Sequence, residues 1–176
     1  YQRLMDHLAE LGHRRIDLLN TQPLNDNMRR RIEQWQIWRC AKGIDGELFE
    51  RHVETYGNAM VRAYDVTGEL LDSGRLGGTA LLCTTSSAAM GAMRAVHERG
   101  LRVGRDLSVS GWDDEGWSRF CVPSLTSLST PPSEPYIAAC LESMARGGEW
   151  AGPLLTQATD VPLFQGESTG PAPVKG

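Results

Sequence analysis

The sequence has 176 residues, with 18 Lys and Arg against 22 Asp and Glu, a formal charge of −4 and no long run of either sign. A chain of this length buries roughly 70% of its unfolded surface, enough for one core, and its charge balance argues against a nucleic-acid-binding face. No apolar run approaches the ~20 residues of a membrane-spanning helix, and the first residues carry no secretory pattern, so no membrane partner is expected.

Leu4, Leu8 and Leu11 fall on one helical stripe that Gly12 stops, and Arg15 to Leu19 reads as a short strand. Turn-rich Asn20 to Asn27 leads to a second helix, with Ile32, Trp35 and Trp38 on one face, running to about Ala41 before Gly43. The one basic cluster, Arg29-Arg30-Arg31, lies in this helix. Leu48 to Val53 is a weaker strand, diluted by Arg51 and His52. Asn58 suits the N-cap of a third helix ending near Gly74, in which Gly68 costs about 1 kcal/mol against Ala.

Thr79 to Cys83 is a continuous apolar run, as in a parallel strand covered on both faces. The hydroxyl cluster Thr84 to Ser87 opens a fourth helix, Ser87 to Glu98, which Gly100 ends. Strands follow at Leu107 to Gly111 and Leu125 to Leu128. After Pro131-Pro132, Ser133 to Ala145 reads as a helix, Val161 to Phe164 as a last strand, and Gly170 to Gly176 as a disordered tail. Strands alternating with helices of this length predict a doubly wound α/β fold on a parallel sheet.

Three strand-to-helix junctions bring polar residues to one rim: Asn25 to Arg29, Thr84 to Ser87, and Asp113 with Asp114. All carboxyl ends of a parallel sheet point one way, and ligands bind there. A guanidinium, a carboxylate and a row of hydroxyls suit a polyol or sugar, and the indole of Trp112 or Trp117 suits a sugar face. Helix caps and turns account for the same Asp, Thr and Ser residues structurally. The sequence lacks G-x-S-x-G, H-E-x-x-H and the P-loop, so an enzyme is not expected. Cys40, Cys83, Cys121 and Cys140 form no C-x-x-C pair and have no histidine at ligand spacing; they read as buried thiols of a reducing cytosol, with neither metal nor cofactor.

Four motifs together resemble the lactose-repressor (LacI/GalR) family: Leu11-Gly-His-Arg-Arg-Ile16; Ala89-Met-Gly-Ala-Met-Arg-Ala95 with Glu98-Arg-Gly-Leu-Arg-Val-Gly104; Asp106-Leu-Ser-Val-Ser-Gly-Trp-Asp-Asp114; and Pro123-Ser-Leu-Thr-Ser127. The likeness runs from about Tyr1 to Thr169. It implies a periplasmic-binding-protein-like subdomain over residues 1–130, the second of two that hold an effector between them. Residues 131–159 would cross to the other subdomain, 160–169 return as a strand, and 170–176 form the tail. Nothing resembles the DNA-binding headpiece or first subdomain, and Tyr1 opens directly on a helical pattern, so a fragment is expected.

The resemblance implies a cytoplasmic regulator that binds a small-molecule effector, a sugar by preference, and meets operator DNA only through the headpiece. A periplasmic sugar-binding protein of a transporter is the alternative. By position, Arg29 and Asp113 match the effector-holding arginine and aspartate. Thr85 and Ser86 stand in place of a usual Asn-Asp pair, Asn58 in place of an aromatic, and Thr130 at a polar hinge position. The broad apolar surface of helix 87–98, with the region near Phe120, is where the resemblance puts a homodimer contact.

Overall fold

The apolar runs become the middle of one six-stranded sheet. The computed structural model describes residues 1–54, 57–114, 116–129, 134–147 and 161–173. In chain order these form α1 (Gln2–Glu10), β1 (Ile16–Asn20), α2 (Asp26–Lys42), β2 (Leu48–Glu50), α3 (Ala59–Asp72), β3 (Ala80–Cys83), α4 (Ser86–Glu98), β4 (Ser108–Asp114), a 3-10 turn (Ser118–Phe120), β5 (Thr126–Ser129), α5 (Glu134–Ala145) and β6 (Leu163–Phe164). The strand order is β2-β1-β3-β4-β5-β6. Neighbours pair in parallel except β6, which runs antiparallel to β5.

Alternate residues of each strand feed two cores. Ile16, Leu18, Ala80, Leu82 and Leu128 meet α1 and α2 through Leu4, Leu8, Ile32, Trp35 and Trp38. Leu19, Leu81, Cys83 and Val109 meet α3 and α4 through Ala63, Val66, Ala88, Ala92 and Val96. The sheet is thus covered on both faces, which is why β3 reads as an unbroken apolar run. Each fully buried Leu contributes about 1.5–3 kcal/mol over an exposed one.

Several boundaries differ from the sequence expectation. β4 continues through Asp113 and Asp114, because a register shift between Trp112 and Asp114 keeps the strand paired to Ser129. Of the four cysteines only Cys83 is buried; Cys40 is exposed and Cys121 and Cys140 are half-buried. Residues 170–173, expected in the tail, pair with the body: the Gly170 carbonyl meets His13 Nε2 at 3.1 Å, and Ala172 N donates to Leu11 O at 2.9 Å. Much of the width of α4's apolar surface is absorbed inside the chain, where Gly91 packs against the Met60 carbonyl of α3. The crossover expected over 131–159 falls largely outside the described residues. Its helix is α5, where Ile137, Leu141 and Met144 are exposed.

The amino edge of the sheet carries a buried polar network. His13 is fully buried, with Nδ1 2.7 Å from Thr79 Oγ1 and Nε2 3.1 Å from Ser108 Oγ. The Gly170 carbonyl only accepts, so Nε2 carries the proton and Nδ1 accepts from Thr79. His7 Nε2 meets Thr169 Oγ1 at 3.0 Å, and Thr169 Oγ1 meets Thr126 Oγ1 at 2.7 Å.

Candidate functional site

The carboxyl edge gathers residues from β1, β3, β4 and α2. Asn20 ends β1 and is fully buried, and Thr84 follows β3, also buried. Thr84 Oγ1 donates to Asn20 Oδ1 at 2.9 Å, while Asn20 Nδ2 donates to Gln22 O at 3.1 Å. These bonds fix both side chains and tie the end of β1 to the end of β3.

Arg31 joins this pair from α2. Its guanidinium donates to the Thr84 carbonyl and lies 4.8 Å from the centre of the Trp112 ring on β4. Tyr1 packs on the same indole, with ring centres 5.1 Å apart. The geometry gives a cation, an indole, a hydroxyl and an amide on one rim. That donor set matches hydroxyl-bearing ligands, since a guanidinium presents five fixed donors and an indole face stacks on C–H-rich rings.

α4 enters the rim through its N-terminus. Thr85 is its N-cap, with Oγ1 accepting from Ala88 N at 3.2 Å and standing 3.1 Å from Ser87 Oγ. Ser86 is buried and donates from Oγ to the Trp112 carbonyl at 2.8 Å. Gly111 allows this approach, because a Cβ there would lie 2.9 Å from Ser86 Cα. The hydroxyl row therefore clamps α4 to β4, with Thr85 and Ser87 left half-buried at the surface.

The residues expected from sequence separate into groups. Thr85 and Ser86 reach the rim, engaged as above. Asp113 reaches it by backbone at the end of β4; its side chain lies outside the described positions, as does Thr130 entirely. Asn58 caps α3, its Oδ1 accepting from Met60 N at 3.0 Å and Val61 N at 3.3 Å. Arg29 is exposed on α2. Arg31, two residues on, is the arginine of α2 that reaches the rim, beside Asn20 and Thr84, which the spacing did not single out. A signal for Arg31 was available: counting about 100° per residue, it falls between Trp35 and Trp38 in the apolar arc of α2, whereas Arg29 lies roughly 120° from that arc's centre.

Among the described residues, no three His, Cys, Asp or Glu side chains gather as a metal would require, and no helix is long and apolar enough to cross a membrane.

An open, doubly wound sheet with polar groups converging at its carboxyl edge defines a small-molecule-binding α/β domain. The chain belongs to the periplasmic binding protein-like domain family, whose model matches residues 5–144. Its relatives are transcriptional regulators of the lactose-repressor family, and the matched region is their effector-binding core. It is 35% identical over 143 residues to an uncharacterized HTH-type transcriptional regulator of Streptomyces limosus, covering 79% of this chain and 40% of that protein. It is 34% identical over 124 residues to the lactose operon repressor of Escherichia coli K12, covering 70% of this chain and 33% of the repressor.

Among solved structures, the Lac repressor bound to ONPG in the repressed state superposes with a TM-score of 0.76 at 29% identity, over 93% of this chain and 48% of that one. A LacI family regulator from Mycobacterium smegmatis superposes at 0.80 and 25% identity, over 96% of this chain and 62% of that one. The chain thus spans about a third to two-fifths of the length of these curated relatives.

Proposed function

We propose that this chain is the effector-binding core of a sugar-responsive transcriptional regulator that works by ligand-driven closure rather than catalysis, in the cytoplasm. The carrying observation is Arg31, held over Trp112 and against the Thr84 carbonyl at the carboxyl edge of the sheet. A ligand hydroxyl at that rim meets a donor whose position is already fixed, so little side-chain entropy is lost on binding. Asp113, at the end of the strand that carries Trp112, supplies the acceptor, and Thr85 the adaptable hydroxyl. Ser86 positions α4 through the Trp112 carbonyl, and Asn58 belongs to the frame as a helix cap. Thr130 is assigned to the hinge side of the cleft. Operator DNA is engaged by a segment outside these 176 residues, consistent with relatives named as HTH-type regulators.

A thermal-shift screen of monosaccharides, disaccharides, phosphosugars and purines tests the reading. The full-length protein is expected to respond to a sugar, and its Arg31→Met variant to lose that response, while the 176-residue chain alone, holding one side of the cleft, gives a weak response or none. A response to sugars that survives Arg31→Met, or turnover of any ligand, would overturn it.

Self-association through α4 and the region near Phe120 accompanies this reading. Phe120 and Val122 are 78% and 96% exposed beside α4, an apolar edge that a second copy would cover. Sedimentation velocity at high micromolar concentration is expected to give a dimer, and Phe120→Asp a monomer.

A further inference from the structure

Residues 166–172 form a strap across the amino ends of β4 and β5. Val109 N donates to Ser168 O at 2.8 Å, Ser168 Oγ donates to Val109 O at 2.6 Å, and Gly170 N donates to Ser108 Oγ at 3.1 Å. Two histidines bond to the strap as well. His13 Nε2 reaches the Gly170 carbonyl, and His7 Nε2 reaches the Thr169 hydroxyl. The hydroxyls fix the second ring as the Gly170 carbonyl fixes the first. Thr126 Oγ1 donates its one proton to Gly166 O at 3.1 Å, so it accepts from Thr169 Oγ1, and Thr169 in turn accepts from His7 Nε2. Both rings therefore meet the strap as neutral donors.

We infer that His7 and His13 form an acid-sensitive latch: protons taken up by the two rings release residues 166–172 from the amino edge while the sheet stays folded. A proton added to His13 lands on Nδ1, which now accepts from Thr79, so that hydroxyl must turn and a charge is left beneath the strap. Lifting the strap wets both rings. Its own groups, Thr169 and Gly170, are the ones bonded to them.

The surroundings do not offset the added charge. On α1, Glu10 favours a charged His7 but burial outweighs it, and each histidine disfavours charge on the other. Arg14, next to His13 in the chain, is exposed. On β1, Asp17 accepts from Arg15 Nε, Glu47 N and Gly78 N. Ahead of β4, Asp106 is paired with Arg102, and on the strap Glu167 accepts from Ser124 N and Oγ. β3 and β5 present only the hydroxyls of Thr79 and Thr126 to this network. The strap yields before the sheet because Gly166, Ser168 and Gly170 bury little apolar surface, whereas β1 and β3 lie between two apolar cores. The latch is complete within one chain and independent of both the effector and self-association readings.

The test follows amide exchange of the full 176-residue chain by NMR between pH 7.5 and 5, under conditions where closing outpaces exchange. Each rate is divided by the intrinsic rate at that pH. The amides of Ser168, Gly170 and Ala172 read the strap, and those of β1 and β3 read global opening. Strap amides are expected to be the less protected at every pH. A ring that titrates near 6.5 when released and stays neutral when docked raises the opening constant by about thirtyfold across this range. A rise of at least tenfold is expected at the strap. His13→Gln and His7→Gln should each reduce it, and the double variant should remove it. A strap that exchanges only together with β1 and β3, a smaller rise in the wild type, or a rise that persists in the double variant overturns the latch.

Discussion

The Arg31 guanidinium lies 4.8 Å from the centre of the Trp112 ring, so one side chain of α2 ties the helix to the carboxyl end of β4. A half-buried cation over an indole is worth about 0.5–2 kcal/mol. Its second contact, to the Thr84 carbonyl, adds β3 to the same point. Three elements that line the rim are therefore held by one residue.

Replacing that residue separates binding from stability. Arg31→Met keeps much of the aliphatic stem and loses the guanidinium, so unfolding free energy should fall by about 1–2 kcal/mol in urea titration. Affinity for a sugar found by screening should fall at least tenfold, as expected where a charged hydrogen-bond donor worth about 1.5–3 kcal/mol is removed. Arg29→Met, exposed two residues away, should change neither. Equal effects of the two substitutions would remove Arg31 from the site.

Much of the frame was legible in the sequence because the two periodicities that specify it are strong. The unbroken run at Thr79–Cys83 suits a strand covered on both faces, and β3 sits in the sheet between β1 and β4. Gly43, where the sequence breaks the second helix, stops α2 in the left-handed region with φ +63°. The site was less legible. Arg29, Arg30 and Arg31 are chemically identical, and only the phase of α2 relative to the sheet selects among them. Asn20 reads as a turn residue until β1 and β3 are side by side, when its amide meets Thr84. The width of α4's apolar surface pointed outside the chain because the sequence does not reveal that α3 lies against it at the Gly91 contact.

That contact sets up a comparison of two helical glycines. A Cβ at Gly91 would lie 2.0 Å from the Met60 carbonyl oxygen, which is backbone and cannot swing aside. The ~1 kcal/mol that Ala gains over Gly in a helix is outweighed, and Gly91→Ala should destabilise by about 1–3 kcal/mol. A Cβ at Gly68 instead meets the tip of Arg99, 2.5 Å away. Arg99 is a flexible side chain held by Asp72 at the surface, so Gly68→Ala should be neutral or stabilise by up to about 1 kcal/mol. Urea denaturation of both variants checks the contrast, and a loss at Gly68 equal to that at Gly91 would show that Arg99 cannot yield.

His13 gives the fold a pH dependence whose sign is fixed by burial. Burial holds its pKa below the ordinary histidine value; the Gly170 carbonyl pulls it upward and the nearby His7 lowers it further. The folded state therefore binds fewer protons than the unfolded chain below about pH 6.5, and stability present above that pH is lost as pH falls. His7, also lowered by burial, contributes with the same sign. Asp106, held at about 2 by hydrogen bonds from Arg102, loses its contribution only below about pH 4, whereas the Tyr1 amino group, lowered to about 6 by burial and by Arg31 and Arg3, declines with the histidines between pH 7.5 and 5, so the difference between the wild type and His13→Gln isolates His13. Unfolding free energy from urea titrations should decline across that window. His13→Gln keeps a donor and an acceptor but cannot titrate, so it should be less stable at pH 7.5 and show a shallower decline toward pH 5. A slope unchanged by His13→Gln would mean that the bond to Gly170, and with it the docking of residues 170–173, does not respond to protonation of this ring.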